Sequence, residues 1–119
     1  KVGFFYNDLK EDVDRAYASS IYRESFEGKI SFGITSVCFG NVTLAENENT
    51  DEYEEFKYYE NKNVFLYPSN KACSGKLATY YVNHLEQTGF FCTPVRNNKI
   101  SVIIERERFT PGVSVKSES

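Results

Sequence analysis

Polar and apolar positions alternate most clearly between residues 29 and 46, KISFGITSVCFGNVTLAE. Ile30, Phe32, Ile34 and Cys38 recur at even spacing, with Ser31, Gly33 and Thr35 between them, the period of a strand with one buried and one wet face. Gly40-Asn41 interrupts the pattern and Val42-Thr43-Leu44 resumes it. Glycine accepts positive φ at the first central position of a type II′ turn, so the stretch predicts a β-hairpin.

Upstream, the apolar run at 2–6 reads as a short strand stopped by Asn7-Asp8. Asp8 and Glu11 have the spacing of a capping box, and further acids at 12 and 14 suit the positive end of a helix dipole. Leu9, Val13, Ala16, Tyr17, Ser20, Ile21 and Ser25 then fall on one side at helical spacing, which predicts an amphipathic helix over 8–26 with Gly28 as its stop.

Downstream, 47–51 reads as a loop. Residues 53–59 alternate Tyr53, Glu55, Lys57 and Tyr59 against Glu54, Phe56 and Tyr58, allowing a strand that pairs with a second one at Val64–Tyr67, which Pro68 ends. Ser69 or Asn70 could cap a second helix running to Thr88, with Cys73, Leu77, Tyr80, Tyr81, His84 and Leu85 on one face and Gly89 ending it. Residues 90–95 and 99–107 form a closing hairpin around Arg96-Asn97-Asn98, where asparagine tolerates the left-handed conformation. In its second strand Ile100, Val102 and Ile104 face one way, and Ser101, Ile103 and Glu105 the other.

Two amphipathic helices need an apolar surface to cover. The pattern therefore predicts an α+β fold of two layers, in the order β-α-β-β-(β)-β-α-β-β. A single antiparallel, meander-rich sheet of five to seven strands packs against both helices. Residues 1–109 form one domain, and 110–119 form a C-terminal tail. No motif identifies a known family.

Composition changes the picture in three places. The 119 residues include ten Phe and nine Tyr but no Trp and no Met. Such rings serve equally as sheet residues and as anchors on a partner surface. The missing methionine fits a mature secreted chain or an excised domain. No apolar run approaches the length of a membrane span, so the chain reads as soluble.

Charge is unevenly placed. Between Glu46 and Glu60 lie Glu46, Glu48, Asp51, Glu52, Glu54, Glu55 and Glu60 against one base, Lys57, whereas the rest of the chain holds 13 bases and 10 acids. The net charge of −3 therefore arises in this segment.

Cys38, Cys73 and Cys92 are too few and too widely spaced for a disulfide scaffold; they read as small core residues, with at least one thiol free or intermolecular. Asn41-Val42-Thr43 is a glycosylation sequon at the predicted hairpin tip.

Candidate chemistry is sparse. His84 is the sole histidine, and on a helix it would stand about 16 Å from Cys73, too far for a Cys-His couple. Cys and His are not paired at zinc spacing, and the acids lack calcium-loop spacing. Ser74-Gly75-Lys76 has the look of a phosphate-binding loop, but Asn70 replaces the first glycine and Leu77 the metal-binding hydroxyl. No cofactor is implied.

The reading that remains is a non-catalytic protein–protein interaction domain, of the kind found among secreted or pathogen-derived effectors and inhibitors. Its partner-binding residues are Glu52, Tyr53, Glu54, Glu55, Phe56, Tyr58 and Tyr59, aromatic anchors ringed by negative charge and suited to a basic protein surface. Tyr53 in DEYEE also has the acidic context that tyrosine sulfation favours. Two alternatives compete. One is a single-stranded nucleic-acid-binding domain using an open sheet face beside Arg96, Lys99, Arg106 and Arg108. The other is a small thiol enzyme with Cys38 or Cys92 beside His84.

Overall fold

The computed structural model describes residues 2–46, 49–72, 74–87 and 89–118. It opens with a helix, α1 (Val2–Tyr17), on which Phe5, Leu9, Val13 and Ala16 are buried three to four positions apart. That spacing makes one continuous apolar side. The run at 2–6 is thus the start of this helix rather than a strand, and Asp8 and Glu11 are exposed within it instead of capping it.

The predicted 8–26 helix is corrected at its far end. α1 stops at Tyr17, and β1 (Tyr22–Lys29) follows. Its inner face carries Phe26 and Gly28, while Arg23, Ser25 and Glu27 are exposed. Gly28 is needed for close approach: a Cβ there would lie 2.7 Å from the Phe5 ring.

The single sheet is also corrected. There are two antiparallel sheets, one in the order β1, β6 (Lys99–Arg106), β7 (Ser114–Ser117) and one in the order β4 (Thr79–Tyr80), β3 (Val64–Tyr67), β2 (Ser36–Gly40), β5 (Phe90–Pro94). In the first, β6 is central, with Phe26 opposite Val102, Gly28 opposite Ile100 and Ile104 opposite Val115. Ile100, Val102 and Ile104 all face the core, as the alternation predicts.

The second sheet shows why one layer could not suffice. All five residues of β2 (Ser36–Gly40) are buried, so this strand is covered on both faces. Val37 and Phe39 join Val64 and Leu66 of β3 (Val64–Tyr67) in the main core shared with α1 and the first sheet. Cys38 and Phe65 point the other way, into a smaller cluster with Val42 and Phe56.

The hairpin predicted over 29–46 does not form. Residues 31–35 are turn and coil, with Phe32 89% exposed. β2 pairs with β3 and with β5 (Phe90–Pro94), and after Gly40 the chain enters a 3-10 turn at Val42–Leu44. Gly40 does take positive φ, +124°, but for a different reason. Asn41 N–H donates to Gly89 O at 3.0 Å, and a Cβ on Gly40 would overlap that oxygen.

Residues 53–59 are not a strand either: α2 (Asp51–Phe56) is a short helix, capped by Thr50, whose hydroxyl accepts the Tyr53 N–H at 3.1 Å. The second long helix, predicted over 69–88, is replaced by two 3-10 turns (Ser69–Lys71 and Gly75–Ala78) and the short strand β4 (Thr79–Tyr80). Ala78, Val82 and Leu85 are buried at helix-like spacing, but the backbone is held by the side chain of Asn63. Its Nδ2 donates to Val82 O at 2.9 Å and its Oδ1 accepts from Val82 N–H at 2.8 Å. Cys73 and Thr88 lie outside the described residues.

At 96–99 the predicted turn is present, with Asn97 and Asn98 left-handed at φ 53° and 59°. Arg96 and Lys99 exchange both backbone hydrogen bonds, at 2.9 and 3.0 Å. Beyond them β5 and β6 diverge into different sheets, so this turn is the corner between the two.

The stretch from Thr110, read from sequence as a tail, carries β7 (Ser114–Ser117) along β6, with Val113 and Val115 buried. One core spans α1 and both sheets, and the radius of gyration of 13.3 Å matches the value of about 13.5 Å for one compact domain of this length. No helix among the described residues is long and apolar enough to cross a membrane.

Candidate partner-binding surface

The site begins with β2. Cys38 lies opposite Phe65 on one side and Cys92 on the other, and Cys38 and Cys92 form a disulfide. The three cysteines are therefore not all isolated thiols, and neither Cys38 nor Cys92 is available as a thiolate partner for His84.

Over this face of the sheet lies α2. Phe56 is 1% exposed, 4.9 Å between ring centroids from Phe65 and edge-on to Tyr67 and Tyr59. Tyr53 is half-buried and meets Phe90 edge-on at 6.5 Å. Two carboxylates fasten the helix at its sides: Glu52 accepts the Ser36 hydroxyl at 2.8 Å, and Glu55 accepts the Ser69 N–H at 2.7 Å.

Four of the seven residues singled out from the sequence thus face the sheet or bind to its surroundings. Glu52, Tyr53, Glu55 and Phe56 build a platform. Phe56 is too deep to meet a partner, and Tyr53 is half covered where a sulfating enzyme would need to reach it.

The remaining three face outward. Glu54 is exposed, Tyr58 is 83% exposed and Tyr59 44% exposed, with Asp51 and Glu60 exposed at either end. Lys57 bridges them: its ammonium pairs with Glu54 at 2.9 Å and lies 5.4 Å from the centroid of the Tyr58 ring. The hydrogen bond to Glu54, and then its charge, raise the Lys57 pKa. Burial first, and then the charges of Asp51, Glu55 and Glu52, push the Tyr67 phenol up, a sign of how negative this surface is.

Elsewhere the candidates disperse. His84, left-handed at φ 72°, stacks on Tyr17 with centroids 3.6 Å apart, and the Arg106 guanidinium lies 4.7 Å from the same ring. Arg106 also donates to the carbonyls of Tyr17, Ser19 and Thr110, stitching the end of α1 to the segment after β6. The outer face of the first sheet holds Arg23, Ser25, Glu27, Ser101, Ile103 and Lys116 around Glu105, with no aromatic ring. Glu105 pairs with Arg23 at 2.7 Å and Lys116 at 2.6 Å. Among the described residues no group of three or more His, Cys, Asp or Glu is placed to hold a metal ion.

Comparison with family models, with curated proteins and with solved structures finds no match to this chain.

Proposed function

We propose that this is a non-catalytic protein-binding domain that presents Glu54, Tyr58 and Tyr59, flanked by Asp51 and Glu60, to a basic surface on another protein. The observation that carries the reading is Tyr58, a large ring 83% exposed on the turn that leaves α2. Burying such a ring against a partner removes a large amphipathic surface from water at little cost in side-chain freedom. The acids around it favour a positive partner and disfavour a negative one.

The platform supports the reading because it is pre-organised. Thr50 caps the helix, Glu52 and Glu55 tie it down, and Phe56 anchors it over a disulfide-bearing strand pair. A surface fixed before contact has less ordering cost to meet on binding. The disulfide supports a working place outside the reducing cytosol. The outer face of the first sheet offers charge but no ring on which bases could stack, and this favours a protein partner over single-stranded nucleic acid.

The test is capture from the native source by the intact domain and by a Glu54→Ala/Tyr58→Ala double variant, after equal denaturation midpoints show that both fold alike. The expected result is a basic protein retained by the intact domain, released by raised salt and absent from the variant. Identical retention by both, or none by either, would reject the reading.

A further inference from the structure

The side chains of Asn41 and Thr43 have no part in the surface described above. Among the chain's ten asparagines Asn41 alone has Ser or Thr two positions after it. A sequon by itself says little, because the tripeptide arises often by chance. Two independent features of the structure change its weight.

The first is exposure. Asn41 and Thr43 are exposed while Val42, 2% exposed, is sunk into the smaller apolar cluster, so the tripeptide is pinned through its middle residue with its two chemically relevant side chains outside. Asn41 Oδ1 accepts from Thr43 N–H at 2.9 Å and from the Thr43 hydroxyl at 2.7 Å. Among the described residues no acceptor takes Asn41 Nδ2. A group attached at that nitrogen would break none of these bonds.

The second is the disulfide. A Cys38–Cys92 bond is of the kind that forms and persists in an oxidising compartment. That is also the side of the membrane on which sugars are transferred to asparagine.

We infer that Asn41 is an N-glycosylation site. In the transfer, Asn41 Nδ2 bonds to the anomeric carbon of a lipid-linked oligosaccharide. The bond from that carbon to the lipid pyrophosphate breaks, the pyrophosphate leaves with the electron pair, and Nδ2 gives up one proton. The lipid-pyrophosphate oligosaccharide is the glycosyl donor, and a membrane-bound transferase brings it to the chain. This inference does not depend on the partner-binding reading.

The test expresses the full chain behind a cleavable leader in cultured eukaryotic cells and measures intact mass on the lumenal and secreted pools together. Enzymatic release of N-glycans in heavy-oxygen water marks any glycosylated asparagine as labelled aspartate. The expected result is the mass increment of one oligosaccharide, removed on release with the label at position 41. The increment is lost completely in Asn41→Gln and in Thr43→Ala and kept in Thr43→Ser. Peptide mapping of the same pools reports whether Cys38 and Cys92 are joined. A chain with that bond closed and Asn41 bare would overturn the inference, as would an increment that survives Asn41→Gln.

Discussion

Cys38 and Cys92 stand directly opposite each other in the register of β2 and β5, and the bond between them closes a loop with a sequence separation of 54 residues. Inside that loop lie α2, the turn bearing Tyr58 and Tyr59, β3 and β4. The covalent link therefore encloses the whole proposed binding platform. Chain-entropy arguments put the stabilisation from closing a loop of this size at about 4 kcal/mol. Replacing both cysteines by Ala should lower the unfolding free energy by that order, read from urea denaturation. A loss below about 1 kcal/mol would show that the link constrains little.

Asn63 holds a chain segment that the sequence marks as helical. It is buried, and its carboxamide satisfies both the N–H and the carbonyl of Val82. Asn63→Ala leaves those two groups buried without partners, at a cost of about 3 kcal/mol. Denaturation of the variant measures it, and a change under about 1 kcal/mol would mean that water replaces the side chain.

Gly40 and Gly75 make a paired comparison. Gly40 combines positive φ with a Cβ direction blocked by the Gly89 carbonyl, whereas a Cβ on Gly75 would meet nothing within 4 Å. Gly40→Ala should destabilise by at least about 2 kcal/mol. Gly75→Ala should stay within about 0.5 kcal/mol of the parent. Equal effects at the two sites would contradict the close approach of residues 40 and 89.

Glu105 gives the stability an acid limb. The Lys116 ammonium, 2.6 Å away, opposed by burial and aided by Arg23, holds the carboxyl below its ordinary range. The unfolded chain titrates near the ordinary value, about 4.3. The ion pairs therefore contribute fully above that value, and their contribution is lost as pH falls through it toward the lower folded value. Urea midpoints taken from about pH 6 down to about pH 3 should fall, and fall less steeply in Glu105→Gln. The same slope in parent and variant would assign the acid sensitivity elsewhere.

Local signals in the sequence carried part of this fold. Val64–Tyr67 ends at Pro68, Asn97 and Asn98 turn left-handed, and Ile100, Val102 and Ile104 point inward together, each determined by residues within a few positions. The errors arose where two periods fitted one stretch. Ser20, Ile21 and Ser25 continue the helical spacing of Leu9 and Val13, yet β1 begins at Tyr22 because β6 supplies a hydrogen-bonding edge some eighty residues away in the chain. α2 spans six residues, too few to display a helical period, so its alternation read as a strand. Ala78, Val82 and Leu85 repeat at helical spacing on a backbone that is not helical, because the satisfying partner is the side chain of Asn63.

The site was half legible for the same reason. Composition marked the acidic, aromatic stretch, but which rings face outward depends on the direction from which β2 and β3 meet it. Phe56 and Tyr58 are two residues apart and fare oppositely, one buried against Phe65 and the other exposed. Cys38 and Cys92 each sit in a β-prone run, and only the register of β2 and β5 pairs them.

The most direct test of the proposed binding surface is photo-crosslinking from two positions on the intact domain. A photoreactive phenylalanine analogue replaces Tyr58 in one variant and, in the other, Ser101, which is exposed on the outer face of the first sheet. After irradiation in extract of the native source, position 58 should give one dominant adduct with a basic protein, suppressed by raised salt, and position 101 should give none. Adducts equal at both positions, or formed only at 101, would contradict a partner surface built on Tyr58.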